Sequence, residues 1–273
     1  MNAHRPNPYV AAPAAGRAAR APLPPISIAT YNIHKGFSQF NRRLMVHELR
    51  QELRGLAPDI LFLQEVQGQH RHHEERHDGW PEAPQHEFLA EDVWQESAYG
   101  RNVVYDHGHH GNAVLSRFPI VHAHNQDVTH HRFERRGLLH CEIAVPTWDG
   151  RSLHCVCVHL SLLGHSRRHQ LDLLAGRIEE LVPRDAPLII AGDFNDWRNR
   201  ADGLLAQRLG LREAFSRAQG KPSRSFPAAL PLFRLDRIYV RGFAVADAQV
   251  HSGRPWSRIS DHALLAARLL PHG

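Results

Sequence analysis

Pro187-Leu-Ile-Ile-Ala-Gly-Asp-Phe-Asn195 is the stretch on which the reading of this chain turns. A short apolar run, bounded by Pro187 and Gly192, has the length and composition of a buried strand. It ends on two polar side chains, Asp193 and Asn195. The same pattern recurs along the chain. Asn32 follows Ile28-Ala-Thr-Tyr31, Glu65 follows Leu61-Phe-Leu-Gln64, and His159 follows Val156-Cys-Val158. Asp236 precedes Ile238-Tyr-Val240, and Asp261-His262 precede Ala263-Leu-Leu265. Polar groups at the tips of rigid strands converge on one cleft when the strands share a sheet edge.

Outward from these tips, the patterning predicts strands at 26–31, 60–64, 102–105, 113–115, 138–145, 153–160, 187–191, 237–240, 243–250 and 263–270. Met45, Leu49, Leu53 and Leu56 follow helical spacing and predict a helix over 42–56. Leu171, Leu174, Ile178 and Leu181 predict another over 167–182. A third is expected over 198–209. Asp149-Gly150 is a hairpin signal between two strands. Residues 67–86, polar and rich in His, read as a long surface loop. Helices interspersed with adjacent strand pairs argue for a sheet-rich α/β layered domain over a bundle or a barrel.

The 273 residues suffice for one large domain with a full core. Residues 1–25 are rich in Ala, Pro and Arg, lack the apolar core of a secretory signal, and are expected to be a disordered tail. A processed leader or a mistaken start codon is the alternative. Residues 26–270 form the expected domain, taken to be cytoplasmic and monomeric. No apolar run is long enough to span a bilayer. Apolar residues at 42% and charged residues at 22% argue against global disorder and a membrane bundle. The formal charge is +5, of which Arg5, Arg17 and Arg20 supply three, so the domain carries only +2. Three cysteines are too few for a disulfide scaffold. Cys155 and Cys157 read as core thiols on one strand face. Many of the 23 histidines fall in stretches such as His70, His72, His73 and His77, expected to be a solvated face, with a metal-binding tract the alternative.

The strand-end residues offer mainly oxygen donors. Such a set suits a hard cation, Mg²⁺ or Mn²⁺, which keeps water ligands and binds phosphate oxygens. No CxxC spacing points to zinc. Each residue alone has a plain structural explanation, since a carboxylate or amide at a strand end often caps a turn. A lone His159 would ordinarily be a core histidine. Eight such residues in one order weaken that explanation.

Taken together, Thr30-Tyr-Asn-Ile-His-Lys-Gly36, Leu63-Gln-Glu65, Gly111-Asn-Ala-Val-Leu-Ser-Arg117, Val158-His-Leu160, Gly192-Asp-Phe-Asn195, Leu235-Asp236 and Ser260-Asp-His262 resemble the endonuclease/exonuclease/phosphatase superfamily. The resemblance covers roughly residues 26–270. It implies a four-layer α/β sandwich, two packed mixed sheets flanked by helices, and divalent-metal hydrolysis of phosphoesters. It places Asn32, Glu65 and Asp261 at the metal. Asp193 and Asn195 are placed at the attacking water and a phosphate oxygen, Asp236 beside His262, and His159 near the leaving group. Asn112 and His34 are implied to contact substrate; His34 stands where abasic-site endonucleases carry an acid. Either Asp193 or His262 is the base. Arg132, Arg135 and Arg136 line a phosphate groove or form a solvated hairpin, and Arg167 and Arg168 fall near the same motifs. Nucleic acid is the favoured substrate, a phospholipid or inositol headgroup the alternative, and a catalytically silent binding module the third reading. Trp80, Trp94 and the Phe226–Phe233 segment would matter for lipid if exposed, although a core role is the simpler expectation for each aromatic.

Overall fold

The computed structural model describes residues 23–148 and 150–272. The expected tail falls almost wholly outside them, as does Asp149 of the hairpin signal. In chain order the elements are β1 (Ile26–Asn32), α1 (Val46–Leu56), β2 (Ile60–His70), α2 (Arg71–Arg76), α3 (Gln85–Ala90), β3 (Glu96–Tyr105), β4 (Gly108–Ser116), β5 (Ile120–Asp127), β6 (Gly137–Ala144) and β7 (Ser152–His159). There follow α4 (Gly164–Leu181), β8 (Leu188–Asp193), α5 (Arg200–Leu209), β9 (Arg212–Glu213), α6 (Ala214–Gln219), β10 (Asp236–Arg241), β11 (Phe243–His251), α7 (Trp256–Ile259) and β12 (Leu264–Pro271).

Two six-stranded sheets result, ordered β11-β12-β1-β2-β4-β3 and β5-β6-β7-β8-β10-β9. Each is mixed, with a central parallel pair, β1–β2 in one and β7–β8 in the other. Alternation along the strands sorts the core into layers. Ile26, Ile28, Ile60 and Phe62 of the first sheet meet Cys155, Cys157, Ile189 and Ile238 of the second. The opposite face of the first sheet, with Ala29, Tyr31, Leu61 and Leu63, packs under Leu49 and Leu53 of α1 and Leu89 of α3. Val156, Val158 and Ile190 of the second pack under Leu171, Leu174 and Ile178 of α4 and Leu205 of α5. The expected four-layer sandwich is the observed fold, and the three cysteines are buried and free.

Differences lie where side-chain pattern and backbone pairing diverge. The strand expected to stop at Gln64 continues to His70. Glu65 adopts a left-handed conformation (φ 56°), and the β2–β4 register shifts between Leu63 and Val66. Glu65 therefore sits at a bulge inside a strand rather than after one. The expected 67–86 loop holds the end of β2, α2 and the start of α3. The helix expected from Arg42 begins at Val46, because Leu44 bridges Phe37 and the Met45 amide donates to the Gly36 carbonyl. The expected strands at 102–105 and 113–115 are the ends of longer ones. Edge strand β5 has no apolar face to show in sequence, and α6 and α7 are one or two turns long.

Candidate active site

The parallel pair β7–β8 is in register so that His159 lies opposite Asp193, and antiparallel β10 puts Asp236 opposite Asp193 from the other side. Three polar residues thus share one row at the sheet edge. Gly192 makes this possible. Its φ is 144°, and a Cβ there would lie 2.0 Å from the Val158 carbonyl oxygen. From the other sheet, β1 delivers Asn32, whose Nδ2 donates to Asp193 Oδ2 at 3.3 Å. The two sheets therefore touch through polar groups at this end and apolar groups elsewhere.

His262 donates from Nδ1 to Asp236 Oδ2 at 2.8 Å, and its Nε2 lies 3.8 Å from Asp193 Oδ2. Burial alone would pull this imidazole down; Asp236, helped by Asp193 and Asp261, holds it up at about 10, so it is a cation at neutral pH. Burial and the Asp236 charge push Asp193 up to about 6, against His262 and the hydrogen bonds from Asn195 and Asn32. Asn195 N–H donates to Asp193 Oδ1 at 2.9 Å, an Asx turn, while its Nδ2 donates to the Leu160 carbonyl at 3.0 Å. His159 Nε2 lies 3.6 Å from Asp193 Oδ2. Burial, then Arg136 and the neighbouring imidazoles, hold it well below its ordinary value, so His159 is neutral before substrate arrives.

Glu65 faces Lys35 Nζ at 3.8 Å, and His34 Nδ1 lies 3.5 Å from Asp261 Oδ1. Burial would raise Glu65, but Lys35 and His34 outweigh it and lower it. Ser260 Oγ donates to the Asn32 carbonyl at 2.7 Å and accepts from His262 N–H at 3.2 Å. That one hydroxyl fixes the first and last motifs against each other. It is part of the terminal Ser260-Asp-His262 stretch, so its position was visible in sequence although its task was not.

A cleft of about 460 Å³ opens over these groups, lined by Asn32, Glu65, His159, Asp193, Asn195 and His262. Arg136, Leu162, Trp197, Phe226, Phe233 and Leu235 complete its wall. Asp236, hydrogen-bonded to His262, is not among the lining residues, nor are His34 and Asp261. Asn112 lies beneath it: its Nδ2 donates to the Gly137 carbonyl at 3.0 Å, which ties β4 to β6. The Arg132–Arg136 stretch is no free phosphate groove throughout. Arg136 pairs with Glu134 at 2.9 Å, and buried Arg167 donates to the Ser161 and Leu162 carbonyls. Trp94 takes the expected core position, whereas Phe233 is half exposed at the mouth.

A sequence profile described as the Endonuclease/Exonuclease/phosphatase family matches residues 29–262. The chain belongs to that family, whose members are in general phosphoester hydrolases dependent on divalent metals. It is 48% identical to an uncharacterized Escherichia coli K12 protein, YbhP, over 242 residues, 89% of this chain and 95% of that one. A Bacteroides vulgatus endonuclease/exonuclease/phosphatase structure superposes with a TM-score of 0.71 at 17% identity, covering 92% of this chain and 100% of that one. A mannosyl-6-phosphatase from Bacteroides thetaiotaomicron superposes with a TM-score of 0.67 at 16% identity, covering 90% and 99%. Among the described residues, no helix is long and apolar enough to cross a membrane.

Proposed function

We propose that this protein is a divalent-metal-dependent phosphodiesterase. The observation that carries the reading is the row His159–Asp193–Asp236 at one sheet edge, with the His262 imidazolium against both carboxylates and Glu65 across the cleft. The donor chemistry fits a Mg²⁺ or Mn²⁺ ion. Asp193, Asp236, Glu65 and Asp261 gather negative charge in one place, and buried Asp236 Oδ1 has no hydrogen-bond partner among the described residues. Asp193, Asp236 and His262 have ligand atoms within 4.8 Å of one another, but His262 is already committed as a cation to Asp236. Glu65, Asp261 and the Asn32 amide oxygen are the better holders. When bound, the ion neutralises a non-bridging phosphate oxygen and the charge that develops in the reaction.

The chain's own groups then divide the work. Asp193, fixed by Asn32 and Asn195, accepts a proton from a water as the water oxygen bonds to phosphorus. One ester P–O bond breaks. His262, locked by Asp236 with Nε2 toward the cleft, stabilises the anionic phosphoryl oxygens. His159 is neutral beside cations. An entering phosphate anion raises its proton affinity, so it takes up a proton on binding and passes it to the leaving alkoxide. The products are an alcohol and a phosphate monoester.

The test is hydrolysis of bis(p-nitrophenyl) phosphate by the purified full chain. Turnover is expected with Mg²⁺ or Mn²⁺, lost on chelation and restored by added metal, and Glu65→Gln should raise the metal concentration required. Undiminished turnover in excess chelator would overturn the reading.

A further inference from the structure

Large apolar side chains are exposed unevenly over this molecule. Leu162 and Leu163 follow His159, Trp197 follows Asn195, and Leu230, Leu232 and Phe233 precede Asp236; all six are between 44% and 67% exposed. These loops leave the strands that carry the catalytic row. Leu162, Trp197 and Phe233 themselves line the cleft. The hydrophobes therefore surround the place where the scissile phosphate must enter.

The loops are built to hold this posture. Glu134 accepts from Arg136 Nη2 and from the Leu162 amide, each at 2.9 Å, and also from Ser161 Oγ. Leu163 N–H donates to Ser161 Oγ at 3.0 Å. The other rim is a hairpin closed by the Phe226–Phe233 bridge, with Leu230 at its tip. Apolar side chains pinned outward by a hydrogen-bonded backbone are not collapsed core residues.

Charge says what covers them. Residues 160–170, 197–200 and 220–235 contain no Asp or Glu. They carry exposed Arg168, Arg198, Arg200, Lys221 and Arg224. Leucines ringed by cations without acids match an anionic lipid surface, where apolar tips enter the acyl boundary and the cations meet headgroup phosphates. A nucleic-acid backbone would satisfy the cations but leave the leucines in water.

We propose that the cleft mouth docks on anionic phospholipid bilayers and that the substrate is a phosphodiester of a lipid headgroup presented there. This rests on the phosphodiesterase reading above and names its substrate class. Leu230 and Leu232 act in docking only, so their replacement separates the two.

The experiment is cosedimentation of the full chain, in chelator, with vesicles of phosphatidylglycerol and phosphatidylcholine or of phosphatidylcholine alone. The wild type is expected to bind the anionic vesicles and not the zwitterionic ones. Leu230→Ser with Leu232→Ser should weaken binding about tenfold or more while turnover of bis(p-nitrophenyl) phosphate stays unchanged. Absence of binding to anionic vesicles, equal binding by the double variant, or retention on duplex DNA in place of vesicles would each overturn the proposal. Failure to turn over the soluble diester with metal would sink the phosphodiesterase reading and with it the substrate assignment, while the docking surface, measured without catalysis, would stand or fall on the vesicles.

Discussion

Asp193 carries the sharpest conflict between stability and chemistry. It is buried beside a second buried carboxylate, and its raised proton affinity means that keeping it ionised works against folding. Asp193→Asn should therefore lower kcat by about 10²–10⁴-fold without lowering Tm in metal-free protein; a large drop in Tm would mean that the carboxylate is structural. His159 makes a different prediction, because a proton donor matters in proportion to how poor the leaving group is. His159→Gln should slow an alkyl phosphodiester about a hundredfold and bis(p-nitrophenyl) phosphate far less, since p-nitrophenolate leaves without a proton. Equal losses on both substrates would assign His159 to holding Asp193 rather than to the leaving oxygen.

Elements place these side chains, and β8 does most of it. Val158 lies opposite Gly192 and His159 opposite Asp193, so the spacing of β7 and β8 sets the His159–Asp193 distance. Gly192→Ala forces a Cβ onto the Val158 carbonyl from a backbone conformation that favours glycine. It should cost about 3 kcal/mol or more, read by urea unfolding, and abolish turnover with metal present. The strand tips were legible in sequence because an apolar run ending in a polar group is a local signal: Asn32, His159 and Asp193 were found that way. The Glu65 bulge was not, since its signature is a backbone conformation and not a side-chain period. The apolar rim was legible only in part. Leu162 does not stand out in the sequence, and the Phe226–Phe233 segment with Leu230 and Leu232 matters for lipid only if exposed, a core role being the simpler expectation; three dimensions show that no described element covers them.

Across the whole molecule the histidines decide how stability responds to acid. His73, His110 and His140 are each held down at about 4 from an ordinary 6.5, with burial the leading cause. His70, His86, His109, His154, His159 and His251 are lowered for the same leading reason. For each of them the unfolded chain binds the proton more tightly than the folded one. Their contribution is intact above pH 6.5 and is lost as pH falls below it, toward about 4 for His73, His110 and His140. Asp193 opposes this, because a carboxylate raised to about 6 gains stability as it protonates. Glu213, also raised by burial, acts in the same sense. His262 is neutral to the argument in this window, since its raised value contributes fully below 6.5 and is lost only toward 10. Two carboxylates do not offset nine imidazoles, so Tm should fall between neutrality and about pH 4.5, well before ordinary carboxylates are titrated. The most specific contributor is the cross-strand pair on β6 and β7, where His140 Nε2 and His154 Nδ1 share one hydrogen bond at 3.1 Å. The pair needs one ring as donor and the other as acceptor, so protonating both turns the bond into a repulsion. Replacing both by Gln keeps a donor and an acceptor without a titrating group. His140→Gln with His154→Gln should therefore flatten the slope of Tm against pH in the acid window while leaving turnover at neutral pH unchanged. A double variant with the wild-type slope would show that the acid sensitivity resides in the other seven imidazoles.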